Sequence, residues 1–273
     1  MTGHAETPSP LPSLYFPHGG GPCFFMDWTM GPADTFDRLR DWLGDVGRAY
    51  DGVRALLVIS AHWEEPVVSV QTGAHPSLLF DYQGFPEHTY RLTWPAPGSP
   101  ALADRVRTLL TGAGMESRAA PHRGYDHGVF VPLKVAFPRA HIPTVQLSLN
   151  ADLDPATHLA MGRALAPLRS EGVLILGSGM SFHNMRAFGG QPGALERSAR
   201  FDAWLAEACA CTGERRESLL AAWSEAPSGR YCHPREEHLL PLMVAAGAAE
   251  DEPGRRVFQD ILMGVQVSAF AFG

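Results

Sequence analysis

Three histidines of this 273-residue chain follow short apolar runs: His18, His62 and His183. The runs before them are typical of buried strands: Leu14–Phe16, Ala55–Ser60 and Val173–Leu176. Ligands of open α/β sheets bind beyond the carboxyl ends of the strands, so we expect these side chains to converge at one edge of one sheet. Three neutral imidazoles that converge are suited to bind Zn, Fe or Cu, and the pattern therefore predicts a metal site.

Two further segments carry histidines that could join this site. His127 lies in a turn that follows Tyr125. The stretch from His233 to His238 is predicted to open a helix at Glu236. Side chains of consecutive helical residues point about 100° apart, so at most one of Glu237 and His238 would face a given metal. His233, outside the helix, is predicted to be a cap or a support for the ligands.

The other histidines have no comparable context. His4, His141 and His158 are predicted to be solvated surface residues. His88 and His122 lie in aromatic loops, where contact with a substrate is a weaker hypothesis.

Strand-like and helical segments alternate along the chain, which predicts an α/β fold. We expect a single domain with a central, largely parallel or mixed sheet, helices on both faces, and the metal site at the carboxyl ends of the strands. The additional predicted strands are Val67–Gln71, Thr144–Ser148 and Gly264–Phe272. The predicted helices are Thr35–Tyr50, Pro100–Thr111, Pro155–Arg169, Glu196–Thr212, Arg215–Ser224 and Glu236–Ala246.

Two stretches interrupt this alternation and are rich in Pro, Gly and aromatic residues. They are His75–Ser99 and Pro121–Pro132, which we interpret as loops that form the walls of a pocket. Residues 1–13 are polar and Pro-rich and are predicted to be a flexible segment, which leaves residues 14–273 as one catalytic domain.

Composition excludes several classes of protein. The formal net charge is -7, and no cluster of Lys and Arg predicts nucleic-acid binding. Four cysteines without a C-x-x-C pair, and the absence of a signal-like or membrane-spanning stretch, favour a cytoplasmic protein that does not bind membranes. We expect a monomer or a small homo-oligomer.

Six segments together resemble the class III extradiol aromatic-ring-opening dioxygenases, in particular the DOPA 4,5-dioxygenase-like branch of the protocatechuate 4,5-dioxygenase catalytic-subunit superfamily. The segments occur in a consistent order over most of the chain: Phe16–Pro22, Ser60–Glu64, Tyr82–Pro86, Asp126–Leu133, Gly177–Asn184 and Glu237–Leu242.

The resemblance implies a non-haem metal centre, with Fe(II) expected for ring cleavage and Zn(II) as the alternative bound ion. By position, His18 and His62 are two ligands, and His238 is the third in this branch, with Glu237 as the alternative. His183 matches the catalytic acid–base and is also a candidate fourth ligand. His127 matches a histidine that contacts the substrate.

The implied reaction is extradiol (meta) cleavage of a small catechol by O2. Two other functions remain open at this point: a zinc-dependent hydrolase that uses the same histidines, and a Memo-like protein that binds partners without catalysis. Metal identity and O2 consumption would discriminate among the three.

Overall fold

The computed structural model describes residues 9–273. Eight strands form one mixed sheet in the order β4-β3-β5-β2-β6-β1-β8-β7. Their bounds are β1 Ser13–Pro17, β2 Ala55–Glu65, β3 Ser69–Gln71, β4 Arg118–Ala120, β5 Thr144–Asn150, β6 Val173–Gly179, β7 Gly254–Leu262 and β8 Val265–Phe272. The helices are α1 Asp37–Tyr50, α2 Pro100–Gly112, α3 His127–Ala136, α4 Pro155–Leu165, α5 Pro167–Ser170, α6 Ala194–Ala210, α7 Gly213–Ala221, α8 Gly229–Cys232 and α9 Leu240–Ala248. The predicted single-domain α/β fold with a mixed sheet is confirmed.

The four central strands, β5, β2, β6 and β1, are parallel, so their carboxyl ends meet at one edge. Their residues are almost all buried because helices cover the sheet on both faces. Two neighbouring residues of β6 show this. A Cβ on Gly177 would lie 2.3 Å from the Pro241 carbonyl oxygen in α9. On the opposite face, the hydroxyl of Ser178 donates to the Gly128 carbonyl in α3.

Helix α3 lies where a loop was predicted, so the interpretation of Pro121–Pro132 as a loop is wrong for its second half. Pro132 lies inside the helix and has no N–H to donate to the carbonyl of Gly128. The Ser178 hydroxyl occupies that carbonyl instead. A tertiary hydrogen bond thus compensates for the proline, and no local pattern could have indicated it.

The C-terminal strand was predicted alone, but it forms a hairpin with β7. Residues along β7 alternate between exposed and buried and include several charges, which conceals the strand in a search for apolar runs. Met263 and Gly264 form the turn with positive φ angles of 50° and 82°, as tight hairpins require. The predicted helix Pro155–Arg169 divides into α4 and α5 at Pro167.

The predicted flexible segment 1–13 lies partly outside the described residues, since the structure describes the chain from residue 9. Of the described part, Ser13 is the first residue of β1 and is buried. None of the helices within residues 9–273 is long and apolar enough to cross a membrane.

Candidate metal centre

The structure brings five of the predicted histidines together at the carboxyl edge of the sheet. The ring centroids of His18, His62 and His238 lie 4.8 to 5.2 Å apart in all three pairs. The His127 ring is 3.9 Å from that of His62, and the His183 ring stacks on that of His238 at 3.3 Å.

The parallel strands account for three of these positions. His18 is the first residue after β1, and His183 follows β6 by four residues. His62 lies within β2, which is longer than predicted and continues to Glu65 past a shift in its register with β5. His127 is the first residue of α3.

The segment from His233 to Leu239 is a turn, and the prediction that a helix begins at Glu236 is wrong. Helix α9 begins at Leu240. The helical argument that separated Glu237 from His238 therefore does not apply. Instead, Oε1 of Glu237 accepts hydrogen bonds from Nδ1 of His183 at 3.1 Å and from Nδ1 of His238 at 3.0 Å.

Hydrogen bonds fix the protonated nitrogen of four rings, one of which is His183, whose Nδ1 donates to Glu237. Nδ1 of His18 donates to the Gly19 carbonyl at 2.9 Å, and Nδ1 of His127 donates to Asp81 at 2.8 Å. His238 donates through Nδ1 to Glu237. A neutral imidazole that carries its proton on Nδ1 presents a lone pair on Nε2, so these rings are prepared to bind a cation.

The Nε2 atoms that remain have few partners within the protein. Nε2 of His18 lies 3.1 Å from Nε2 of His62. Nε2 of His238 is buried and has no hydrogen-bond partner among the described residues. A buried polar atom without a partner is costly in a folded protein. The donor set therefore fits a metal ion that binds imidazole nitrogen.

Burial keeps three of these histidines neutral. Desolvation lowers the pKa of His18, His62 and His238 well below the ordinary value of 6.5, and repulsion from neighbouring imidazoles lowers it further. Only the neutral ring can bind a metal, so the site is ready for an ion at neutral pH.

Two carboxylates support the histidines, and the sequence analysis missed this role for both. Burial disfavours the ionised form of Glu237, but the hydrogen bonds from His183 and His238 outweigh it and hold its pKa well below the usual range. Partial burial of Asp81 is likewise outweighed by its hydrogen bonds with His127, which lower its pKa. Carboxylates that accept from the second ring nitrogen commonly orient metal-binding histidines. Asp81 lies in the aromatic loop His75–Ser99, which the sequence analysis interpreted as the wall of a pocket. That position was the one feature of the sequence that could have indicated its role.

A third carboxylate, Asp126, lies beneath the site. It accepts from Ser60 at 2.7 Å and Arg123 at 2.8 Å, and also from Gln146. Burial, with some repulsion from Asp81, raises its pKa. These bonds connect the start of α3 to β2 and β5, and so fix the backbone that carries His127.

The other histidines lie elsewhere. His233 is buried and donates from Nε2 to the Ser181 carbonyl at 3.0 Å. His158 was predicted to be on the surface, but it is fully buried: its Nδ1 donates to the Asp154 carbonyl, and its Nε2 accepts from Asn150. His88, His122 and His141 are exposed, whereas His4 lies outside the described residues.

Comparisons with known proteins agree with this arrangement. The sequence model of one family, described as the catalytic LigB subunit of aromatic ring-opening dioxygenase, matches residues 18–270. The chain is 43% identical over 201 residues to a 4,5-DOPA dioxygenase extradiol of Beta vulgaris, which covers 72% of this chain and 73% of the relative. It is 37% identical over 232 residues to the dioxygenase tasH of Hapsidospora irregularis, covering 81% of this chain and 72% of the relative.

A solved structure has the same fold. The crystal structure of an uncharacterized protein from Escherichia coli K12 superposes with a TM-score of 0.77 at 28% identity. The match covers 96% of this chain and 100% of that protein.

Proposed function

The chain belongs to the family of the catalytic LigB subunit of aromatic ring-opening dioxygenases, and we propose that it performs extradiol cleavage with a metal ion held by His18, His62 and His238. This membership decides the reaction in favour of ring cleavage over the hydrolase and the non-enzymatic binding protein. The substrate is a small aromatic compound with two adjacent hydroxyl groups, and O2 is the second substrate.

The spacing of the rings is the observation that supports this ligand set. Rings that bind one ion through nitrogen at about 2.1 Å, with bond angles between octahedral and tetrahedral, have centroids roughly 4.5 to 5.3 Å apart. His18, His62 and His238 meet this condition in every pair. The distance of 3.9 Å between His62 and His127 is too short for both to be ligands.

The same reasoning favours His238 over Glu237 as the third ligand. Oε1 of Glu237 is occupied by two imidazole N–H groups. Its Oε2 accepts no hydrogen bond among the described residues but lies 3.4 Å from the guanidinium of Arg235, which pairs with its charge. Glu237 then orients His238 and His183 without touching the ion.

His183 is better suited to proton transfer than to a fourth ligand position. Its ring lies parallel to that of His238, with an interplanar angle of 17° at 3.3 Å, and parallel stacked rings cannot both point at one ion. Its Nδ1–H donates to Glu237, which leaves Nε2 free to take a proton from a catechol hydroxyl and to return it later.

His127 is proposed to hold the substrate. Its Nδ1–H is fixed by Asp81, so Nε2 is available as a hydrogen-bond acceptor for a substrate hydroxyl. When bound, the metal would supply Lewis-acid stabilisation of the catecholate and the redox chemistry that O2 requires. Zn²⁺ has no redox chemistry, so we assign Fe(II) as the ion of the active enzyme. The unpaired cysteines support a reducing compartment such as the cytoplasm.

Metal analysis combined with O2 uptake tests the proposal. Protein reconstituted with Fe(II) without air should consume O2 when catechols are added and form a yellow ring-cleavage product, whereas Zn(II)-loaded protein should not. The variant His183→Ala should keep the metal and lose turnover. Absence of O2 uptake with every catechol tested would contradict the proposed activity, and full activity in His183→Ala would contradict the role of that residue.

A further inference from the structure

A cavity adjoins the loops that carry His18 and His183. Its volume is about 390 Å³, within the range of small-molecule sites. Gly20 and Gly21, from the loop that begins at His18, form one side. Met185, two residues after His183, forms another. The cavity is therefore lined by residues of the same two loops that carry His18 and His183.

The lining of this cavity is apolar. Its side chains come from four separate segments and include three methionines: Trp28, Met30, Phe85, Met185, Phe188 and Met263. No charged side chain lines it within residues 9–273. Methionine is flexible and polarisable and forms favourable contacts with aromatic rings, so this lining suits a hydrophobic group of variable shape.

Two of these methionines are unusually exposed. Met30 and Met185 are 63% and 68% exposed, whereas most large apolar side chains of the described residues are buried. Apolar side chains grouped at the rim of a cavity commonly mark a binding site. Both line this cavity, and Met185 lies on the same loop as His183.

Phe85 is held firmly as one wall. Gly21 has a φ of +53°, and a Cβ at that position would lie 2.7 Å from the Phe85 ring. The ring of Phe85 also contacts that of Tyr82 edge-on at 5.5 Å, and Tyr82 in turn contacts His127 at 5.9 Å. The aromatic loop thus connects the wall of the cavity to the histidine that is proposed to hold the substrate.

The arginines of the neighbouring loops are engaged elsewhere or lie outside the lining. Arg123 is bound to Asp126, and Arg91 to Glu87. Arg186 is exposed and does not line the cavity. An ionised carboxylate or ammonium group in this cavity would lose its water without gaining a partner, which is unfavourable.

We propose that this cavity binds the ring substituent of the substrate and selects catechols whose substituent is an uncharged alkyl or aryl group. This selectivity rests on the proposed ring cleavage and specifies its substrate class. It differs from the substrate for which the related DOPA dioxygenases are named, because the side chain of DOPA carries two charges.

The test compares three substrates with Fe(II)-loaded enzyme: catechol, 4-butylcatechol and DOPA. We expect kcat/KM for 4-butylcatechol to exceed that for DOPA by at least about 10-fold. The double variant Met30→Gln/Met263→Gln should lower kcat/KM for 4-butylcatechol about 10-fold and change that for catechol less than about twofold. Leu195→Gln is the matched control, since Leu195 is 43% exposed but does not line the cavity.

The outcomes separate this inference from the activity itself. If catechol is cleaved but DOPA is used as well as 4-butylcatechol, or if the double variant leaves their ratio unchanged, the selectivity is wrong and the proposed function stands. If no catechol is cleaved, calorimetric titration of the metal-loaded protein without O2 decides the inference. Tighter binding of 4-butylcatechol than of catechol, lost in the double variant, would support it, and equal affinity would overturn it.

Discussion

The two edges of the central sheet bury polar side chains in opposite ways. At the carboxyl edge, histidine rings face one another with nitrogens that lack partners, as for Nε2 of His238. At the amino edge, two buried arginines bind backbone carbonyls. Arg169 donates to the carbonyls of Leu11 at 2.5 Å and Ala248 at 3.0 Å, and its guanidinium lies 2.5 Å from Glu252.

Arg216, also at the amino edge, completes the contrast. It donates to the carbonyls of Ala246 at 2.9 Å, Glu252 at 2.5 Å and Glu250, all at or beyond the end of α9. The carbonyls at a helix terminus need external donors when they are buried. The arginines thus stabilise the fold through their bonds to backbone carbonyls, whereas the facing imidazoles of the carboxyl edge, with Nε2 of His238 unpaired, fit a ligand.

The largest expected effect is at the carboxyl edge. His62→Phe should abolish stoichiometric metal binding and ring cleavage, because it removes a ligand and keeps a ring of similar shape. Thermal unfolding of the metal-free variant should occur at or above the temperature of the metal-free wild type, because the variant no longer buries a polar ring. Metal analysis and calorimetry check both parts. A strongly destabilised apo variant would show that this edge also serves the fold.

A substitution at the amino edge should have the opposite effect: it should reduce stability and leave activity unchanged. Arg216→Met leaves buried carbonyls without donors and should lower the free energy of unfolding by at least about 3 kcal/mol. At low temperature, the ring-cleavage activity per folded molecule should equal that of the wild type. Denaturant titration measures the loss, and Arg215→Met, at an exposed neighbouring position, is the control. Wild-type stability in Arg216→Met would refute the division between the two edges.

Variants of Glu237 test whether this carboxylate orients the histidines of the carboxyl edge or binds the metal itself. Glu237→Ala removes the acceptor shared by His183 and His238 and should weaken metal affinity about 10- to 100-fold. Glu237→Gln retains a carbonyl acceptor and should recover part of this loss. Competition with a chelator gives the affinities, with Glu236→Ala as the neighbouring control. If Glu237→Ala lost the metal as completely as His62→Phe, Glu237 would have to be a ligand.

The smallest effect concerns His233, a buried histidine that hydrogen-bonds to backbone as the arginines do. Burial lowers its pKa from 6.5 to about 4. The unfolded chain therefore binds a proton below pH 6.5 that the folded chain does not bind until about pH 4, so stability is complete above pH 6.5 and falls as the pH decreases. At pH 5.5 His233 lowers the free energy of unfolding by about 1.4 kcal/mol relative to its value well above pH 6.5.

In the variant His233→Phe the free energy of unfolding should fall less steeply between pH 6.5 and 4 than in the wild type. Denaturant titrations at several pH values would measure this slope. Equal slopes would mean that His233 takes up its proton in the folded state.

The sequence was sufficient to predict that the histidines converge where position along a strand decided it. His18 and His183 follow parallel strands, and parallel strands share an edge. It failed where partners distant in sequence decided the structure. His158 is buried where α4 meets the end of β5, whose Asn150 donates to its Nε2, and Asp81 becomes a support only because α3 carries His127 to it. The turn before α9 was mistaken for helix because the acidic residues after Pro234 are typical of a helix start.

The hydrogen bond from Ser178 to the carbonyl that Pro132 leaves open has a consequence for substrate binding. It joins the first turn of α3 to β6, so His127 and the strand that leads to His183 belong to one rigid body. The conformational entropy of placing these two side chains is then lost when the protein folds and not when the substrate arrives. A catechol that enters the site would then find the proposed acceptor and the proposed base already arranged.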